Sequence, residues 1–216
     1  MVEDIDFVEP LEERIDEAFS ADDSVHDEGH RRRVLRNALV ISGEEGGDRE
    51  VLAASALVHD VHRVAGGEYS SPEECLSKVR EVLEKSRFPD SKIDQVIRCV
   101  EVHDDYDFAD GNRAETKEEK ILQDADNLDA IGAIGIARAF AFGGRKNEKF
   151  WDGTEKASKN YDPSDHTGTV VQHFHEKLLK LHDNMNTETA RKIAEDRHEY
   201  MEEFLEKFRS EWKGEK

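Results

Sequence analysis

The 216-residue chain carries 51 acidic against 31 basic side chains, a net charge of -20. A field of that sign excludes a general electrostatic footprint for nucleic acid or for an anionic membrane. Hydrophobic residues at 36% beside 38% charged ones make a polar chain, but the apolar residues recur with period, which excludes a disordered one. Two cysteines, Cys75 and Cys99, are too few for a disulfide scaffold or a cysteine metal site. Both fall at apolar positions of amphipathic segments and read as buried free thiols. The start, MVEDIDFVEP, lacks the basic and apolar regions of a signal peptide. No apolar run approaches the ~18–20 residues that span a bilayer. The expectation is a cytoplasmic protein folded as a single domain over residues 1–216.

In chain order, Leu11, Ile15 and Phe19 mark an amphipathic helix over Pro10–Ala21. A polar turn leads to a second helix, from Gly29 or His30 to about Gly43, ended by Gly46-Gly47. Asp48 suits the N-cap of a third, Arg49 to about Asp60, apolar almost all round and therefore central. Ser71-Pro72-Glu73-Glu74 predicts an N-cap with proline in the first turn, opening a helix over Pro72–Lys85. Pro89 and Asp90 open the next, whose apolar residues Ile93, Val96, Ile97 and Val100 lead to His103. A polar loop follows. Lys117–Phe142 reads as one long apolar helix, with Gly132 and Gly135 inside it either for close helix approach or as a break into two. Residues 143–169 have no periodicity and read as a lid or substrate loop. Phe150, Trp151 and Tyr161 in it suit either a stacked base or packing. Helices over Val170–Leu181 and Thr187–Trp212 fill the C-terminal 170–213 region. With no alternating pattern of useful length, the fold class is all-α, a bundle of about eight helices.

The stretch LAASALVHDVHR ends an apolar helix on adjacent His59 and Asp60. His30 (GHRRRV), His103 (EVHDD) and Asp126 (ILQDADNLDAIG) lie far from it in sequence. Imidazole and carboxylate together suit a divalent ion such as Mn, Mg, Co, Ni, Fe or Zn. Neighbours on a helix point about 100° apart, so His59 and Asp60 share an ion only at a helix end. A carboxylate such as Asp126 inside an apolar helix is costly to bury unless it is paired or metal-bound. His26 and Asp124 are rival ligands, and Asp129 reads as the partner of a base or as a cap. Lys120 and Arg138 lie on the predicted long helix with Asp126; either could neutralise phosphate charge or be a surface cation. His166, His173, His175, His182 and His198 read as solvated or packing residues.

These pieces resemble the HD-domain metal-dependent phosphohydrolases, most closely a bacterial and archaeal branch of single-domain hydrolases. A His opening a helix (His30), an HD doublet ending a later apolar helix (His59, Asp60) and a downstream Asp (Asp126) occur in the family's order. The resemblance covers the metal-site core, about 26–142, and extends to MNTETARKIAEDRHEYMEEFLEKF at the C-terminus. It implies an HD-type helical bundle in which His30, His59, Asp60 and Asp126 hold the metal, with His103 near the phosphate or a second ion. His62 departs from the branch, where a small residue is usual. It could crowd the site, add a ligand or point into solvent, and the last is the expectation.

The implied activity is hydrolysis of a phosphoester or phosphoanhydride. Asp60 would orient water, His103 or Lys120 would protonate the leaving group, and His103 and Arg138 would contact the substrate. The substrate implied is a small phosphorylated molecule, foremost a nucleotide. Nucleoside triphosphate pyrophosphohydrolysis leads, with nucleotide phosphomonoesterase second. A non-catalytic metal- or nucleotide-binding module is the competing class, and the long terminal helix leaves a homodimer open.

Overall fold

The computed structural model describes residues 5–18, 28–62, 72–104, 113–154 and 168–215. Among these there are nine α-helices and no strand. They are α1 (Val8–Ala18), α2 (Glu28–Glu45), α3 (Arg49–Val58), α4 (Leu76–Lys85), α5 (Ile93–Val102), α6 (Lys117–Asp129), α7 (Gly132–Arg145), α8 (Val170–Glu176) and α9 (Glu188–Trp212). The all-α class holds. None of the described helices is long and apolar enough to cross a membrane. The chain divides into two compact units, Met1–Asp126 and Asn127–Lys216.

The first unit is built around α3, whose residues Val51 to Val58 are all buried. Asp48 caps it as the sequence predicts, accepting from the backbone N–H groups of Glu50 and Val51. Only residues 46–48 separate α2 from α3, and the two pack closely. A hairpin of this kind returns the end of α3 to the start of α2, and so brings His59 back to His30. The N-terminus of α6 is fastened at the hairpin's turn: Lys117 Nζ donates to the Glu45 carbonyl, and Glu118 Oε1 accepts from the Asp48 N–H at 2.7 Å. Thr116 and Glu119 form a reciprocal cap there. Thr116 Oγ1 accepts from the Glu119 N–H, and Glu119 Oε2 accepts from the N–H of Thr116. Both cysteines are free and buried, as expected. Burial pushes the Cys99 thiol up to about 12, although Ser55 hydrogen-bonds it and works the other way.

Two helix starts differ from expectation. Proline and two glutamates at Pro72–Glu74 form a tight 3₁₀ turn, and α4 begins only after Cys75. Asp90–Lys92 is likewise a 3₁₀ turn ahead of α5. Proline sets the φ of a first turn equally well for either helix type. Val170–Leu181 also proves shorter as a helix, with α8 ending at Glu176 and two 3₁₀ turns, Leu178–Lys180 and His182–Asn184, continuing the chain.

In the second unit the predicted helix over Lys117–Phe142 is broken at Ala130–Ile131. Ile131 is extended (φ -123, ψ 168) and Gly132 sits at φ +73, so the break uses the glycine freedom available there. Arg197, on α9, fills the space a Gly132 side chain would need and donates to the Leu128 carbonyl. Arg138 therefore lies on α7 rather than on the helix of Asp126. Aromatic side chains close this unit: Phe140 meets Phe150, Phe204 and Phe208 at 5.2, 5.9 and 5.7 Å between ring centroids. Trp151 is buried against Trp212 and donates its Nε1–H to the Thr154 carbonyl. Trp151 thus packs, whereas Phe150 touches Phe140 and stays exposed; Tyr161 lies outside the described residues.

A Cβ on Gly135 would stand 2.2 Å from the Ala130 carbonyl oxygen, a backbone atom with no easy retreat. Gly135→Ala is therefore expected to destabilise by about 2 kcal/mol or more, lowering the calorimetric Tm by roughly 4–8 °C. The two thiols should resist a disulfide-exchange reagent in the folded protein and react at once when it is unfolded, since exchange needs thiolate and access.

Candidate metal centre

The helix end that the sequence demands for His59 and Asp60 is present: α3 stops at Val58 and both residues lie in the turn that follows. His59 Nδ1 donates to the Ala56 carbonyl at 2.9 Å. A carbonyl only accepts, so this bond directs Nε2 at the centre. There His59 Nε2 faces His30 Nε2 at 3.2 Å. Asp60 Oδ2 stands 3.1 Å from His30 Nε2 and 3.5 Å from His59 Nε2. Asp126 Oδ1 completes the group at 3.5 Å from His30 Nε2 and 3.7 Å from His59 Nε2. His30 and His59 are fully buried and Asp60 nearly so. The structure thus brings together all four residues that the sequence singles out for a metal. His26 lies outside the described residues. Asp129 accepts from Arg138 Nη1 at 2.8 Å, the base partner expected of it.

Two imidazole nitrogens and two carboxylate oxygens turned on one another in a dry interior require positive charge among them. Without an ion that charge is a proton. Burial opposes a charged His59, but Asp60 beside it and the hydrogen bond to Asp126 prevail and hold its pKa at about 9. Burial likewise opposes an ionised Asp126, and the hydrogen bond and charge of His59 hold it far below the usual carboxylate range. Donors bound at about 2.1 Å to a common ion stand roughly 3–4 Å apart, which matches the observed separations. These two nitrogens and two oxygens could hold a divalent cation in place of the proton.

Three neighbours complete the surroundings. His103, the residue after α5, is buried; its Nδ1 donates to the Val100 carbonyl at 2.6 Å. Its Nε2 lies 3.7 Å from Asp60 Oδ1, the oxygen turned away from His30. His62 is fully buried rather than solvated: its Nδ1 donates to the His59 carbonyl at 3.0 Å and its ring meets that of His103 at 5.5 Å. Chain past α3 turns inward again, which carries His62 onto the side that holds His59. Asp104, which the sequence reading passed over, places Oδ2 3.9 Å from His62 Nε2. Its only signal in the sequence is that it follows a histidine.

The remaining candidates are placed differently. Lys120 is half-buried, six residues before Asp126 on α6, which puts it about 120° round the helix from that carboxylate. Arg138 is engaged in the second unit by the Asp129 side chain and carbonyl. Two residues that sequence reasoning missed hold the helices in register. Asn37, two turns beyond His30 on α2, donates through Nδ2 to the Ala125 carbonyl at 3.0 Å, one residue from Asp126. Gln123 donates through Nε2 to the Val102 carbonyl at 2.7 Å, one residue from His103.

Comparison with known proteins agrees with this geometry. The HD domain family matches residues 28–131, which hold the whole cluster. YpgQ of Bacillus subtilis is 34% identical over 195 residues, covering 88% of this chain and 86% of YpgQ. A crystal structure of an HD-superfamily hydrolase from Bacillus thuringiensis superposes with a TM-score of 0.71 at 36% identity, over 95% of this chain and 96% of that one. YpgQ in complex with ADP superposes with a TM-score of 0.72 at 30% identity, over 98% and 97%. The chain belongs to the HD domain family, and its similarity runs to hydrolases of that superfamily.

Asn37→Ala should lower the unfolding free energy by about 1 kcal/mol, the net worth of one hydrogen bond. Asn37→Asp has the same shape but turns an anion toward the carbonyl, and should cost roughly twice as much. Urea denaturation of the two variants checks this order.

Proposed function

We propose that the protein is a metal-dependent phosphohydrolase acting on a nucleotide, with His30, His59, Asp60 and Asp126 as the metal ligands. The observation that carries this reading is the convergence of four donor atoms, three of them on buried residues, within 3.1–3.7 Å of their neighbours. A divalent ion held there supplies Lewis-acid charge, acidifying water and offsetting the charge that builds on phosphoryl oxygens.

The chain supplies the rest. The four ligands fix the position of the charge, and burial keeps bulk water from competing for it. Asp60 commits Oδ2 to the ligand set, which leaves Oδ1 to orient the attacking water and to take its proton. His103 lies beside Oδ1 and is the group of this set best placed to meet the phosphate or its leaving oxygen. Arg138 and Lys120 carry less of the argument, the first because Asp129 already holds it, the second because of its place on α6.

Nucleotide is the substrate class that the relatives favour, because YpgQ of Bacillus subtilis has been solved with ADP. The family resemblance points within that class to cleavage of a nucleoside triphosphate with release of pyrophosphate. A phosphomonoesterase would release phosphate instead.

Purified protein assayed against nucleoside mono-, di- and triphosphates with Mn, Mg, Co, Ni, Fe and Zn, scoring phosphate and pyrophosphate separately, tests the proposal. The expected outcome is ion-dependent release from a nucleotide, reduced at least ~100-fold in His59→Ala. No release with any ion, or equal release from wild type and His59→Ala, overturns it.

A further inference from the structure

We propose that a cleft between α1 and α2 binds a short aliphatic peptide with free termini, its carboxylate held by Arg36 and Arg49 and its ammonium group by Asp6 and Glu9. The inference is independent of the reading of the metal centre.

The cleft, of about 840 Å³, opens in the first unit, within the ~300–1,000 Å³ typical of small-ligand sites. At about 100° per residue, Arg32, Leu35, Arg36 and Leu39 fall roughly 140–240° round α2 from His30. The cleft therefore lies on the face of α2 turned away from the metal centre. Its floor is aliphatic, from Val8 of α1 and Leu35, Leu39 and Val40 of α2, with Ile5 beside them. Val40 is 56% exposed, the one large apolar side chain of the first unit left so among the described residues. No aromatic ring of the described residues lines the cleft, so a nucleotide base finds nothing there to stack on. An aliphatic body gains by covering such a floor.

The charges along the rim are divided between two walls. Asp6, Glu9 and Glu12 come from α1 and the residues just before it, whereas Arg32 and Arg36 come from α2 and Arg49 opens α3. One pair joins the walls: Arg32 Nε and Nη2 donate to Glu12 Oε1 and Oε2 at 2.9 and 3.0 Å. A bidentate pair of this kind fixes the spacing of the two helices. The other four charges are left apart. Asp6, Glu9, Arg36 and Arg49 have no hydrogen bond or ion pair among the described residues, although all four line the same cleft. Elsewhere Arg31 meets Asp16 at 3.0 Å and Arg98 meets Glu101 at 2.8 Å. In a chain with 51 acidic side chains, two arginines that face a cleft without a carboxylate are open to an outside one.

The two signs together select the ligand. Asp6 and Glu9 repel a simple anion, and Arg36 and Arg49 repel a simple cation. A molecule with one charge of each sign and an aliphatic body between them meets both walls and the floor. A short peptide of aliphatic residues has that form. Its terminal carboxylate matches the guanidinium fork, its ammonium group meets Asp6 and Glu9, and its side chains cover Val8, Leu35, Leu39 and Val40.

Isothermal titration calorimetry of the full-length protein with the tripeptide Val-Leu-Val tests the proposal. The free peptide is expected to bind once per chain. Its C-terminal amide and its N-acetyl form should each bind at least ~10-fold more weakly, the worth of one charge-assisted contact. Triglycine, with the same terminal charges and no side chains, should weaken at least as much. Arg36→Gln with Arg49→Gln should bind the free acid and the amide equally. Asp6→Asn with Glu9→Gln should erase the difference made by acetylation. All four side chains are exposed, so these variants are expected to fold as wild type does. Failure of wild type to bind Val-Leu-Val overturns the proposal, and so does equal binding of free, blocked and glycine peptides. Affinity and amide discrimination unchanged in the double arginine variant overturn the place assigned to the peptide.

Discussion

Everything near the candidate centre answers to one electrostatic constraint. Two carboxylates, buried Asp60 and largely buried Asp126, are held beside two fully buried imidazoles. Anions desolvated in this way need compensating positive charge, and against the opposing effect of burial Asp60 and Asp126 raise the pKa of His59 to about 9. A divalent cation meets the same need with fixed charge and with coordination positions to spare. The apolar faces of α2, α3 and α6 stabilise the first unit, and they also keep the surroundings dry enough for the charge requirement to be strong.

Placement of the donors depends on bonds that carry no chemistry themselves. The α2–α3 hairpin returns His59 to His30. Lys117 and Glu118 fasten the start of α6 at the hairpin's turn, and Asn37 fastens it again one residue from Asp126. Gln123 ties α6 to the end of α5, where His103 begins its turn. Three histidines, His59, His62 and His103, share one local device: each donates Nδ1–H to the carbonyl three residues earlier. A helix end leaves that carbonyl without its usual N–H donor, so one bond satisfies the backbone and aims Nε2 inward. Helix ends thus provide at once the angular freedom, the spare carbonyls and the inward-facing imidazoles.

The second unit shows what periodicity leaves open about length. Apolar residues continue across Ala130 and Ile131 without interruption, and the pattern with Gly132 and Gly135 in it allows either one helix or two. The break is set by Gly132 at φ +73 and by the Arg197 side chain that occupies the space beside it. Propensity makes a glycine tolerable in either arrangement; packing against α9 chooses between them. Arg138 follows the break onto α7 and into its pairing with Asp129.

By itself the sequence determined the helical class, the central place of α3, the Asp48 cap, the buried thiols and the four residues His30, His59, Asp60 and Asp126. Each of these is written locally, as a period, a capping residue, or a polar pair ending an apolar run, and the order of these histidines and aspartates added the family. Tertiary structure decided what local pattern does not encode. His62 reads as solvated because it follows the doublet on a polar stretch, yet the turn after α3 buries it. Asp104 and Asn37 have no local signature, since their roles lie in what other helices bring to them across many residues of chain. The two faces of Asp60 are likewise invisible in one dimension. A carboxylate's division between two sets of donors is a property of directions in space, and only the packing of α2, α3, α5 and α6 supplies those directions.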